Sequence, residues 1–155
     1  MLLISHRGNL NGSEPDYENK PEKIVYAIEH KIPVEIDLRY RNKKFYLGHD
    51  EPQYEIDAEF LMNHRDWLWV HCKEKDAFQE ALKLRKIHCF WHDNDDYTMT
   101  NFGYVWAYPG KEPVGSLCIG VMPEKCWSFE ESMNKKFTGI CTDFPSKFSE
   151  LLNTQ

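Results

Sequence analysis

Apolar positions along this chain fall into short runs with two different periods. Val34, Ile36 and Leu38 recur at every second residue and alternate with Glu35, Asp37 and Arg39. That pattern predicts a strand over 34–40, with apolar and charged side chains on opposite faces. Similar runs predict strands over 2–5, 44–48, 67–72, 88–91, 104–108, 117–122 and 138–141, with 41–43 as the turn of a hairpin. Ile24, Val25 and Ile28 instead repeat at helical spacing, so 21–30 reads as an amphipathic helix with Pro21 in its first turn. Further helices are expected over 57–63, with Asp57 as a cap, and over 75–84, 124–134 and 145–152. The stretch 93–103 is too polar and turn-rich for a helix.

Strand, helix, strand alternation predicts an α/β fold with a mainly parallel sheet of about seven core strands plus a hairpin partner. A complete (β/α)8 barrel takes about 250 residues. With 155 residues, the expectation is a compact, trimmed TIM-like barrel in which some helices are reduced to loops. Residues 1–155 are expected to form a single domain, since no repeat, linker or low-complexity segment interrupts them.

Composition narrows the class. A net charge of −6, with dense basic stretches only at 20–23 and 39–44, argues against a nucleic-acid partner, because a polyanion needs clustered cations. Cys72, Cys89, Cys118, Cys126 and Cys141 form no C-x-x-C pair or zinc-site spacing, which fits reduced thiols. Leu2-Leu3-Ile4 is too short for a signal-peptide core, and nothing approaches the roughly 20 apolar residues of a membrane span. A cytoplasmic location is expected. Aromatic residues make up 14% of the chain, and either fill a core short of aliphatics or line a pocket.

Polar groups gather where the expected strands end: His6 and Arg7 after the first, Glu35, Asp37 and Arg39 along the second, and His49 after the hairpin. His71 and Lys73, then His92 and Asp93, then Thr142 and Asp143 close later strands. In a parallel α/β barrel that edge is where active sites are built. Period two puts Glu35 with Asp37, His71 with Lys73, and Leu47 with His49. Two carboxylates on one strand face can hold a hard divalent cation, which polarises a phosphoryl oxygen. Arg7 and Lys73 can donate to phosphate oxygens, while two imidazoles can remove a proton from an attacking hydroxyl and return one to a leaving alkoxide.

These residues, in this order, resemble the glycerophosphodiester phosphodiesterase family, within the phosphatidylinositol phospholipase C-like barrels. The resemblance runs through Ile4-Ser5-His6-Arg7-Gly8, Tyr17-Glu18-Asn19, Val34-Glu35-Ile36-Asp37-Leu38, Leu47-Gly48-His49-Asp50 and 139–145. It implies a phosphoric diester hydrolase of lipid metabolism, acting on a small phosphodiester. His6 and His49 become general acid and base, in an order left open, and Glu35 and Asp37 metal ligands. Arg7 and Lys73 become phosphate contacts. The family's third acidic ligand is replaced by His71, read here as a metal ligand, a phosphate donor or a mark of weak metal binding. The expected cofactor is a divalent ion, Mg²⁺, Ca²⁺ or Mn²⁺, with Zn²⁺ admitted by the imidazole. Trp106, near a strand end, is read as core or as a substrate platform, and His92 as a possible pocket residue. The competing reading is a weak or inactive module that binds phosphorylated sugars or lipid head groups.

Overall fold

The computed structural model describes residues 1–154. Ten strands form one curled sheet. They are β1 (Leu2–His6), β2 (Val34–Arg41), β3 (Lys44–Leu47), β4 (Tyr54–Ile56), β5 (Leu68–Cys72), β6 (Cys89–Trp91), β7 (Tyr97–Met99), β8 (Val105–Ala107), β9 (Cys118–Val121) and β10 (Gly139–Thr142). Seven of them run parallel in the order β6-β5-β2-β1-β10-β9-β8. The hairpin β2–β3 turns at Asn42 and Lys43, both at positive φ, and β4 extends it.

Five helices cover the outside: α1 (Pro21–Glu29), α2 (Ala58–His64), α3 (Lys75–Lys83), α4 (Phe129–Asn134) and α5 (Pro145–Asn153). Pro21 occupies the first turn of α1, where a missing N–H costs nothing. The Asp57 side chain accepts from the Phe60 N–H at 2.8 Å and so caps α2. The helix expected over 124–134 divides in two. A 3-10 turn covers Pro123–Lys125, and α4 starts afresh at Ser128, whose hydroxyl and the Glu131 carboxylate form a reciprocal capping box.

The sheet is a curled half-barrel, not a closed barrel. No ladder joins β6 to β7 among the described residues, because each is only three residues long. Asn101 bridges the gap instead. Its N–H donates to the Cys89 carbonyl at 3.0 Å, its Nδ2 to the Ile87 carbonyl at 2.8 Å, and its Oδ1 accepts from the Cys89 N–H at 2.9 Å. The Thr98 hydroxyl adds a bond to the Trp91 carbonyl at 3.1 Å. Both β7, inside the polar stretch 93–103, and β4 went unpredicted, since three residues are too few to establish a period.

The sheet's two faces have different cores. On the convex side Val34, Ile36, Leu38, Val70 and Cys72 pack under Ile24, Ala27, Leu61, Ala77 and Ala81 of α1 to α3. Ala107, Cys118, Phe137, Ile140 and Phe148 form a second layer beside α4 and α5. The concave side holds Ile4, Trp69, Phe90, Trp106, Ile119, Val121 and Cys141. This concave layer is the floor beneath the strand ends. No helix is long and apolar enough to cross a membrane among the described residues.

Candidate active site

Alternation carries the chemistry. On the concave face Ile4 is followed by His6, Trp69 by His71 and Lys73, Phe90 by His92, Trp106 by Tyr108, and Cys141 by Asp143. Each strand thus supplies an apolar floor residue and, two positions later, a polar residue near its C-terminal end. The register sets His6 beside Glu35 and Asp37 beside His71.

His6 Nδ1 lies 2.7 Å from Asp143 Oδ1, a pair the adjacency of β1 and β10 creates across 137 residues of sequence. Burial pulls the imidazole toward its neutral form, but the Asp143 bond and the Glu35 charge outweigh it, so its pKa is raised above 6.5. Asp143 moves the opposite way: burial raises it, and the His6 bond and charge bring it below the ordinary carboxylate value. Asn9 ties this pair to the loop after β1, donating from Nδ2 to Asp143 Oδ1 at 2.8 Å and to Glu18 Oε1 at 2.9 Å.

Arg7 has a positive φ of 55°, an uncommon conformation for a branchless but bulky residue. Its guanidinium reaches Asp37, with Nε 2.8 Å from Oδ2, and Glu18, with Nη1 donating at 2.9 Å to Oε2. Burial opposes the Arg7 charge, but the carboxylates of Asp37, Glu35 and Glu18 hold its pKa above normal. Asn19, also at positive φ, donates to Asp37 Oδ2 at 2.8 Å and accepts from the Asp37 N–H at 2.9 Å. Lys73 Nζ lies 3.6 Å from Asp37 Oδ1. Burial alone would raise the fully buried Asp37 carboxyl; Arg7, His71, Lys73 and Asn19 instead bring it down to about 2.

Two groups of carboxylates and imidazoles have donor atoms near enough to share one ion: Glu35, Asp37 and His71, and separately His6, Glu18 and Asp143. They differ in how well they are already satisfied. In the second group Asn9, Arg7, Ser13 and the His6–Asp143 bond occupy the carboxylates. In the first, Glu35 Oε2 and Asp37 Oδ1 are buried without a hydrogen-bond partner, and His71 Nδ1 lies 3.6 Å and 3.5 Å from Glu35 Oε1 and Asp37 Oδ1. Buried acceptors without donors are costly, and this group fits a cation.

His49 follows Gly48, whose φ is +148° and where a Cβ would sit 2.1 Å from the Glu51 carbonyl oxygen; only glycine makes that turn without rearrangement. Arg39 donates to the Gly48 and His49 carbonyls, fixing the loop to β2. The imidazole is 42% exposed, and its Nδ1 bonds Asp50 Oδ1 at 2.7 Å. His6, Arg7 and His49 line two adjoining cavities. The inner one, about 250 Å³, also contains Glu35, His71, Lys73, His92, Trp106 and Tyr108. The outer, about 430 Å³, is walled by Glu18, Asp50, Glu51, Lys125 and Asp143. Trp106 lies in the floor, only 2% exposed, against Trp69 and Phe90.

Sequence reasoning placed Asp143 at the end of the last strand and Asn19 in a family-like motif without giving either a role, and passed over Asn9 and Tyr108. The role of Asp143 had a visible signal, since the first and last parallel strands of a curled βα sheet can be neighbours. Asn9 had none, since its position depends on the loop's backbone.

No protein-family model matches the chain, and no curated protein matches it in sequence. Among solved structures, that of a candidate glycerophosphodiester phosphodiesterase from Galdieria sulphuraria aligns with a TM-score of 0.53 over 98% of this chain and 97% of that one, at 11% identity. At that identity the likeness is one of fold, consistent with a trimmed TIM-like barrel.

Proposed function

We propose that this chain is a metal-assisted phosphodiester hydrolase acting on a glycerophosphodiester or a similarly small phosphodiester. The observation that carries the reading is one cavity lined by both His6, which is bonded to Asp143, and Glu35, which with Asp37 holds buried carboxylate oxygens that lack partners. Glu35, Asp37 and His71 would hold a divalent cation, which when bound supplies Lewis-acid stabilisation of charge on a phosphoryl oxygen.

The chain's own groups account for the rest. Lys73 and the unpaired edge of Arg7 receive the phosphate oxygens, with Arg7 oriented by Asp37 and Glu18. Asp143 holds His6 at Nδ1 and favours its protonated form, so His6 is the general acid, giving a proton from Nε2 to the departing alkoxide. Asp50 bonds His49 Nδ1 on the solvent side, which orients the ring, and His49 takes the proton from the attacking water at Nε2. The P–O bond to the alcohol breaks as the water oxygen bonds phosphorus, yielding an alcohol and a phosphomonoester.

The test is hydrolysis of bis(4-nitrophenyl) phosphate with EDTA or with added Mg²⁺, Mn²⁺, Ca²⁺ or Zn²⁺. Metal-dependent turnover that His6→Ala and His49→Ala each abolish supports the mechanism; full turnover in either variant removes that histidine from it. One feature, His71 at the place of a third acid, favours the rival binding module. Binding of a phosphorylated ligand without turnover under every metal would support that rival.

A further inference from the structure

Asn9 is fully buried, and each of its polar atoms has a partner. Its backbone N–H donates to the His6 carbonyl at 3.0 Å, and its carbonyl accepts from the Ser5 hydroxyl at 2.8 Å. Its Nδ2 divides two hydrogens between Asp143 Oδ1, at 2.8 Å, and Glu18 Oε1, at 2.9 Å. Asp143 holds His6, and Glu18 holds Arg7 through its other oxygen. One amide thus touches both the partner of the proposed acid and the partner of the proposed phosphate contact.

Lys23 sets the direction of that amide. From the first turn of α1 it donates from Nζ to Asn9 Oδ1 at 2.7 Å, and it also bonds the Glu14 carboxylate. Turned over, the amide would set Oδ1 against two carboxylates and its N–H groups against an ammonium, and a fully buried side chain has no solvent to turn to. Gly8 brings the lysine close. Its φ is +88°, and a Cβ there would stand 3.1 Å from Lys23 Cγ, so glycine lets the loop lie directly on α1. Lys23 lines neither cavity that contains His6; it borders a separate hollow of about 350 Å³ with Leu10, Tyr17 and Tyr26.

We propose that Asn9 is a positioning residue that keeps the His6 acid and the Arg7 phosphate contact aligned with each other, and that Lys23 acts through it from outside the substrate cavities. This rests on the phosphodiesterase reading and adds how its proton donor and its anion contact are held together. Without the ammonium, the amide loses the interaction that distinguishes its two ends, and Asp143 and Glu18 each keep their donor for only part of the time. Misalignment of His6 then slows the chemical step, and misalignment of Arg7 weakens phosphate binding.

The experiment measures hydrolysis of bis(4-nitrophenyl) phosphate at pH 7, with the metal ion that gives wild type its highest turnover, for Lys23→Met in the wild-type and Asp143→Ala backgrounds. Methionine keeps the aliphatic stem against Gly8 and removes the ammonium. In the wild-type background kcat is expected to fall about tenfold and KM to rise about threefold, the scale of one hydrogen bond made by a charged group. In the Asp143→Ala background the rise in KM should persist, through Glu18 and Arg7, while kcat changes by less than about twofold, because the side chain aligned against His6 is gone. Equal losses of kcat in both backgrounds, or wild-type constants in a Lys23→Met protein with a native circular-dichroism spectrum, overturn the inference. If that variant does not fold, Lys23→Gln, which keeps a shorter neutral donor, goes through the same two backgrounds against the same criteria. No wild-type turnover with Mg²⁺, Mn²⁺, Ca²⁺ or Zn²⁺ overturns the phosphodiesterase reading itself, and this inference with it.

Discussion

Replacing Asp37 by Asn tests the site's electrostatics without assuming any metal or substrate. The amide keeps the shape and can still accept from Asn19, but it removes the charge facing Arg7, Lys73 and His71. The Asp37 pKa is about 2 in the folded chain against 3.8 for an ordinary aspartate carboxyl. Because the folded value is the lower one, the stabilisation is present in full above about pH 3.8 and is lost as pH falls toward 2. The difference corresponds to about 2 kcal/mol near neutrality, and roughly half of it is gone by pH 3. Leaving Lys73 without its carboxylate and Arg7 with Glu18 alone adds to the cost, so Asp37→Asn should destabilise by about 3 kcal/mol at pH 7. Urea unfolding followed by tryptophan fluorescence, in EDTA at pH 7, 5, 4 and 3, measures both forms. The gap between them should narrow by about 1 kcal/mol between pH 5 and pH 3. A gap that stays constant across that range, or is absent at pH 7, refutes the argument.

Asp143→Asn should cut kcat on an aryl phosphodiester about 100-fold, by removing the negative charge that favours the protonated form of His6. It should also move the His6 limb of the pH–rate profile to lower pH, since burial is then opposed by the Glu35 charge alone. Added Mn²⁺ should raise the melting temperature of wild type, with about 2.7 kcal/mol available at a hundredfold excess over Kd, but not that of Glu35→Gln. Asn101→Ala leaves the Cys89 N–H and the Ile87 carbonyl without their partner across the β6–β7 gap. A loss of about 2 kcal/mol in urea unfolding, with faster amide exchange at Cys89, is expected.

Much of the site was legible because a strand's period is rigid. Once 34–40 is a strand, Glu35 and Asp37 must share a face, and the same rule joins His71 to Lys73. Trp106 and Tyr108, and Phe90 and His92, obey it too, although the aromatic members drew attention away from the polar ones. Long-range pairing was harder to see. His6 meets Asp143 only because β1 and β10 are neighbours, and no local pattern encodes that adjacency. The break in the segment 124–134 could have been read from Pro123 and from Ser128-Phe129-Glu130-Glu131, a capping-box spacing in the middle of the supposed helix. The open sheet had no such sign, since it follows from two three-residue strands and one asparagine amide.

The charge balance around Asp37 bears on why a histidine can stand at position 71. Arg7 and Lys73 both face Asp37, so two cations already surround one carboxylate, and Glu35 Oε2 and Asp37 Oδ1 are left as acceptors with no hydrogen-bond donor. On the proposed reading, a third carboxylate at 71 would have raised the affinity for a hard ion such as Ca²⁺ and drawn Lys73 toward itself. An imidazole does neither: it leaves Lys73 available to the phosphate and shifts the preference toward Mn²⁺ or Zn²⁺. Its ring also serves as the middle of the Phe90–His71–His92 stack, a place a carboxylate could not fill without losing that packing. His71→Asp should therefore trade one property for the other, gaining Ca²⁺ response while loosening the packing of Phe90 and His92 and so lowering the melting temperature measured in EDTA. Improved Ca²⁺ response with an unchanged melting temperature would show that the ring stack and the metal group are independent.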